Sequence, residues 1–106
     1  MTLFENREST AEALHAHEEE LRFKTTTRRN KLLGLWMAEQ LGKTGDAAEA
    51  YAQQVVLSDF EEVGFEDVLR KLLSDAQAAG LAITTAEIQT EADRLLPQAH
   101  AQVMAA

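Results

Sequence analysis

The sequence has no cysteine, one proline, five glycines and six aromatic residues among its 106 positions. Without cysteine there is no disulfide framework and no thiolate metal site, so nothing marks the chain as a secreted disulfide-rich protein. No apolar run approaches the ~20 residues that span a bilayer, and the start of the chain lacks the basic and apolar segments of a signal peptide. We therefore expect a cytoplasmic protein that does not insert into a membrane.

Basic residues are also few, because ten Lys and Arg stand against eighteen Asp and Glu and give a formal net charge of −8. Nucleic acids require a positive surface, so this balance argues against them as general partners. The Gly-x-Ser-x-Gly motif and glycine-rich phosphate loops are absent as well. We expect no enzymatic activity, no cofactor and no nucleic acid partner.

Ala, Leu, Glu and Gln dominate what remains, and this composition favours helix throughout. The length fits a single domain, residues 1–106. A first helix is predicted to begin near Leu3 and to end at Gly42, and Asp46 is predicted to cap the second. Gly80 should end the third helix. The short connections between the segments predict an all-α four-helix bundle.

The apolar residues of the last three helices recur at helical spacing and form the predicted inner face. Thr84 or Thr85 should cap the fourth helix, where Pro97 predicts a kink or an end to regular packing. The predicted inner positions are Ala50, Tyr51, Val55, Val56 and Phe60, then Val68, Leu69, Leu72, Leu73 and Ala76, then Ile88, Ala92, Leu95, Leu96, Ala99 and Val103.

Charge divides the long first helix into two parts. Residues 1–20 carry six acidic residues against one basic residue, whereas residues 21–31 carry five basic residues and no acidic one. The apolar stripe of the first part is interrupted by Glu18 and Thr25, so its own domain cannot bury it along its whole length. We therefore predict an N-terminal arm, residues 1–20, on a helical body, residues 21–106. The β-branched run Thr25–Thr27 predicts that the arm is loosely coupled to the body and free to move.

The basic cluster at the start of the body, here called the basic neck, leaves two interpretations open. Its side chains could pair with Glu18, Glu19 or Glu20 at helical spacing, each exposed pair contributing only a few tenths of a kcal/mol. Alternatively, the cluster could bind nucleic acid, a nucleotide or an acidic protein surface. The basic neck consists of Arg22, Lys24, Arg28, Arg29 and Lys31.

Glu12 and His15 have the Glu-x-x-His spacing that builds di-iron sites in helical bundles when two copies are present. This chain has a single copy, and His17 points to a different face from His15. We therefore expect Glu12 and His15 to lie on a solvated face and predict no metal site.

Two sequence blocks carry a specific family resemblance. The block Arg28–Gly34 reads RRNKLLG and is followed by Trp36, and the block Asp59–Glu62 reads DFEE. Together with Phe4, Arg7 and Glu8, they resemble the zeta subunit family of alphaproteobacterial rotary F-type ATP synthases. The likeness extends over about residues 4–73.

The resemblance implies a regulatory, non-enzymatic subunit that inhibits ATP hydrolysis. In this family the N-terminal segment enters the catalytic head, formed by alpha, beta and gamma subunits, and blocks rotation in the hydrolytic direction. The chain would then be monomeric when free and would lie peripheral to the inner membrane through the synthase. We expect the arm to contact its partner through Phe4, Arg7, Glu8, Ala11, Leu14, His15 and Glu18.

Overall fold

The computed structural model describes the backbone of residues 3–60 and 64–106 and the side chains of residues 12–60 and 64–106. Within these ranges the chain forms four helices and no strand. They are α1 (Leu3–Gln40), α2 (Gly45–Ser58), α3 (Glu66–Ala78) and α4 (Thr85–Ala105). The prediction of an all-α four-helix protein with a long first helix is confirmed.

The second half of α1 forms the centre of the bundle. It packs most extensively against α2 and α4, and α3 closes the remaining side. Leu33 and Met37 of α1 have no exposed surface and contact the apolar faces of the other helices. Burying a side chain of this size contributes about 1.5–3 kcal/mol, so this half of α1 is held by tertiary contacts. The other members of the core include Val55, Val68, Leu72, Ile88, Ala92 and Leu95.

Two glycines end helices as the sequence predicts. Gly42 follows α1 with φ +76°, and the Lys43 N–H donates to the Ala38 carbonyl at 2.8 Å. Gly80 follows α3 with φ +75°, and the same six-residue hydrogen bond forms there. A left-handed residue at this position satisfies carbonyls that the helix end leaves without a partner, and glycine adopts it without steric cost.

The two predicted N-terminal caps have different outcomes. Thr84 caps α4 as expected, because its hydroxyl accepts the Glu87 N–H at 3.1 Å. The prediction that Asp46 caps α2 is wrong, since Thr44 occupies the N-cap. The Thr44 carbonyl accepts the Ala48 N–H at 3.4 Å, so the helix begins before Asp46 and leaves it in the first turn.

Three residues assigned to the inner face are exposed instead. Phe60 is 59% exposed because α2 ends at Ser58 and the helical period no longer applies. Ala50 and Leu96 are exposed beside Tyr51 and Leu95, which take the inward positions. Adjacent residues of a helix differ by about 100° in direction, and at these two positions Tyr51 and Leu95 point inward while Ala50 and Leu96 point to solvent.

Pro97 lies within α4, which continues to Ala105. Ala99, two residues further on, is fully buried. Of the two predicted alternatives, an end to regular packing at the proline is therefore wrong, and a kink there stays a prediction. The side chains of Leu95 and Ala99 contact the bundle on either side of Pro97, and these tertiary contacts hold the helix across a residue that lacks one backbone hydrogen bond.

Candidate functional site

Residues 12–20 of α1 form a surface that the bundle does not cover. All nine side chains from Glu12 to Glu20 are exposed, and Leu14 is exposed to 59%. By contrast, Asn30 and Leu33 further along the same helix have no exposed surface. One helix therefore combines a solvent-exposed segment with a fully packed one.

The ion pairs of the described arm residues are formed with neighbours on the same helix. His15 Nε2 lies 3.4 Å from a Glu19 carboxylate oxygen, and Lys24 Nζ lies 2.9 Å from Glu20. The hydrogen bond from Lys24 lowers the pKa of the Glu20 carboxyl. Exposed pairs at this spacing contribute little to stability, because solvent screens the charges. These contacts favour helix in the segment and do not attach it to the body.

The seven predicted partner contacts divide into two groups. Leu14, His15 and Glu18 are exposed in the structure, and Glu18 borders a groove that reaches His100 on α4. The side chains of the other four, Phe4, Arg7, Glu8 and Ala11, lie outside the residues whose side chains the structure describes.

The junction between arm and body is helical. α1 continues through Thr25–Thr27 without interruption, and Thr25 is only 8% exposed. Thr25 lies beside Leu96 and Pro97 of α4 in the lining of the same groove. Packing at the junction therefore offsets the low helix propensity of the three threonines, as tertiary contacts commonly do.

The structure distributes the basic neck over several surfaces. Lys24 pairs with Glu20 on α1, and Lys31 Nζ lies 3.5 Å from Glu49 on α2. Arg22 borders the groove at His100, whereas Arg28 borders a different one. The five bases thus do not converge on one phosphate-sized site.

Arg29 turns towards the body. Its guanidinium lies 4.6 Å from the centre of the Phe65 ring, and its Nε donates to Asn30 Oδ1 at 3.0 Å. Burial lowers the pKa of Arg29, while the carboxylates of Asp59 and Asp93 act in the opposite direction. Arg29 therefore joins α1 to the segment before α3. Sequence reasoning missed this role, since nothing in a run of five bases distinguishes the one that faces inward.

The Glu12 and His15 side chains are both exposed. In the part of the chain that the structure describes, no three His, Asp or Glu side chains come together in an arrangement that could hold a metal ion. The described helices also include none that is long and apolar enough to cross a membrane.

The fold and the exposed segment define a class of protein, a small all-helical bundle whose long first helix carries an exposed acidic segment, residues 12–20. The chain matches the model of the family described as ATPase inhibitor subunit zeta over residues 1–102. It belongs to this family, whose description is that of a regulatory subunit. The assignment agrees with the resemblance noted in the sequence.

A solved structure supports the fold independently. The chain is 50% identical to a protein whose structure was solved by solution NMR, and the two superpose with a TM-score of 0.71. The match covers 79% of this chain and 95% of that one. No curated protein matches the sequence.

Proposed function

We propose that the chain is a non-enzymatic subunit that inhibits ATP hydrolysis by the F-type ATP synthase, inserting the first half of α1 into the catalytic head. The observation that carries the proposal is that every side chain of residues 12–20 is exposed on a helix whose second half supplies Leu33 and Met37 to the core. A helical segment without a partner in its own domain can bind in a groove of another protein. Membership of the ATPase inhibitor subunit zeta family supports an ATPase as that protein.

In this proposal the arm, residues 1–20, is the inhibitory element and the body, residues 21–106, anchors it. The arm would contact the alpha, beta and gamma subunits of the head through the seven residues predicted above. A helix wedged between subunits inhibits by obstructing their movement and needs no catalytic group of its own. The chain would then be peripheral to the membrane, attached through the synthase.

The first test measures ATP hydrolysis by the cognate head, titrated with the full chain and with a form that lacks residues 1–19. We expect inhibition by the full chain and none by the shortened form. Circular dichroism of the shortened form is the control, because the core residues all lie after residue 20 and the bundle should remain folded. Equal inhibition by both forms would refute the role of the arm.

A single substitution tests the arm more finely. Leu14 is 59% exposed, so Leu14→Gln should change the free energy of unfolding by less than about 0.5 kcal/mol. If Leu14 is buried on binding, the loss of its contact should weaken inhibition roughly tenfold or more, since a buried leucine contributes about 1.5–3 kcal/mol. The matched control is Ala16→Gln, an exposed position two residues on and therefore on the opposite face of the helix, which should inhibit like the unchanged chain.

A further inference from the structure

A second groove lies beside the junction of arm and body, between α1, α2 and the end of α4. It has a volume of about 730 Å³. Three cations of α1 border it, Lys24, Arg28 and Lys31. The apolar part of its lining includes Phe23, Val103 and Met104. We call these six residues the basic groove.

The apolar side chains of the basic groove are unusually open to solvent. Phe23 and Met104 are each 57% exposed. The Phe23 ring also lies 6.1 Å from the ring of Phe60, which is 59% exposed, so the apolar surface continues beyond the groove. Single exposed apolar residues are ordinary, but a contiguous group rimmed by charge is typical of a surface that binds a protein.

The charge of the basic groove is opposite to that of the whole chain. None of its described lining residues carries a carboxylate side chain, although the formal net charge of the protein is −8. Lys24 and Lys31 have exposed acidic partners outside the groove, Glu20 and Glu49. Arg28 makes no ion pair with any residue that the structure describes. Exposed pairs are weak, so all three cations can exchange their partners for those of a ligand.

These properties specify the occupant. Cations in a row on one helix face attract an acidic segment, and the neighbouring Phe23 and Met104 favour one that also presents apolar side chains. The cations would attract a nucleic acid, but contact with the apolar side chains would not stabilise its binding. The negative charge of the remainder of the chain would also repel it. An acidic amphipathic helix satisfies both requirements.

We propose that the basic groove docks an acidic amphipathic helix of the ATPase head, giving the chain a second attachment site beside the arm. This inference rests on the proposed function, because the head supplies the helix. The groove lies beside the junction of arm and body. A helix bound there would hold the arm in one orientation relative to the body. Two linked contacts also raise the overall affinity, since the second forms within an already assembled complex.

The test uses full-length variants and the purified cognate head, with affinity and maximal inhibition measured separately. Arg28→Glu reverses one charge of the basic groove. Met104→Gln replaces one of its apolar side chains by a polar one. The matched controls are Lys43→Glu, an exposed base outside the groove, and Leu57→Gln, an exposed apolar residue that lines neither groove. Circular dichroism establishes that all four variants are folded.

We expect the two groove variants to bind about tenfold more weakly while inhibition at saturation stays unchanged, because the arm is intact. The controls should bind within about twofold of the unchanged chain. The Arg28→Glu defect should shrink at high salt, since salt screens exposed charges. If the unchanged chain binds and inhibits but the groove variants match it, the groove proposal is wrong and the proposed function stands. If the unchanged chain neither binds nor inhibits, both proposals are wrong.

A photo-crosslinking residue at position 104 identifies the occupant. Crosslinks to an acidic helical segment of the head support the proposal. Crosslinks to another copy of the chain, together with a dimer in sedimentation analysis, would show that the groove binds a second copy. That result would overturn the proposal.

Discussion

Gly34 of α1 packs directly against Ala52 of α2. A Cβ added to Gly34 would lie 2.8 Å from the Ala52 Cα and 3.1 Å from the Val55 Cβ. Glycine within a helix costs about 0.5–1 kcal/mol relative to alanine, so its presence here has a packing reason. The absence of a side chain lets the two helix backbones approach each other at this crossing.

Gly34→Ala should therefore destabilise the protein despite the better helix propensity of alanine. The added methyl group meets a backbone atom that cannot turn away, and overpacking of this kind costs about 1–3 kcal/mol. Urea unfolding followed by circular dichroism measures the change. Ser74→Ala, at an exposed position of α3, is the control and should change stability by less than about 0.5 kcal/mol. An equally stable or more stable Gly34→Ala protein would contradict the close crossing.

Tyr51 joins α2 to α3 and should make the protein sensitive to alkaline pH. Its hydroxyl donates to Asp75 Oδ2 at 2.7 Å, and Lys71 Nζ lies 3.1 Å from the same oxygen. Burial, with the hydrogen bond and the charge of Asp75, raises the pKa of Tyr51 above its ordinary value of about 10. The neutral hydroxyl therefore contributes stability that is complete below about pH 10 and is lost as the pH rises further, where the unfolded chain ionises first.

Tyr51→Phe should lower the free energy of unfolding by about 1 kcal/mol at neutral pH through loss of the hydrogen bond. Above about pH 10 its stability should fall less steeply than that of the unchanged chain, because the tyrosine ionisation is gone. Urea midpoints at several pH values between 7 and 11 measure both effects. Since the chain has one tyrosine, tyrosinate absorbance reports the same ionisation directly. Parallel pH profiles for the two proteins would contradict the assigned shift.

Arg28 and Arg29 are neighbours with different roles, so the same substitution should affect them differently. Arg29→Lys loses the planar contact with Phe65 and the donor to Asn30, a residue without exposed surface. It should lower stability by about 1–2 kcal/mol. Arg28→Lys keeps a charge at a position that contributes little to the core, and it should change stability by less than about 0.5 kcal/mol. Equal effects in urea unfolding would refute the inward role of Arg29.

Replacing Pro97 should stabilise the protein. Pro97 is exposed within α4, and alanine there restores an N–H for the Asp93 carbonyl four residues before it. The gain in helix propensity of about 3 kcal/mol is partly offset by the greater freedom of the unfolded chain. We expect a net gain of about 1–2 kcal/mol, measured as a higher thermal midpoint. Gln98→Ala, at the next exposed position, should give a far smaller shift; equal shifts would mean that the proline imposes little strain.

Helix number and helix ends were largely predictable, because they depend on local chemistry. Gly42 and Gly80 adopt a backbone conformation that glycine favours, and Thr84 has its partner three residues away. The burial of Phe60 was predicted wrongly, because it depends on where α2 ends. Apolar spacing alone does not determine that end. The glycines and the threonine cap, by contrast, act within one or two helical turns of their own position.

The candidate surfaces were less predictable, since they depend on residues distant in sequence. The broken apolar stripe around Leu14 did predict exposure of the described part of the arm. The basic groove joins Phe23 to Met104 across 81 positions of the chain, and Arg29 meets Phe65 across 36. A stretch of five bases gives no indication of such partners.

The division of α1 into an exposed and a packed segment gives a single helix two local stabilities. Amides near residue 33 can exchange with deuterated solvent only when the bundle opens, because their helix is held by the core. Amides of residues 12–20 belong to a segment whose own length is marginal for an isolated helix, so they should exchange by local opening. Hydrogen exchange should therefore slow progressively along α1. Residues 12–20 should therefore open locally while the body stays folded.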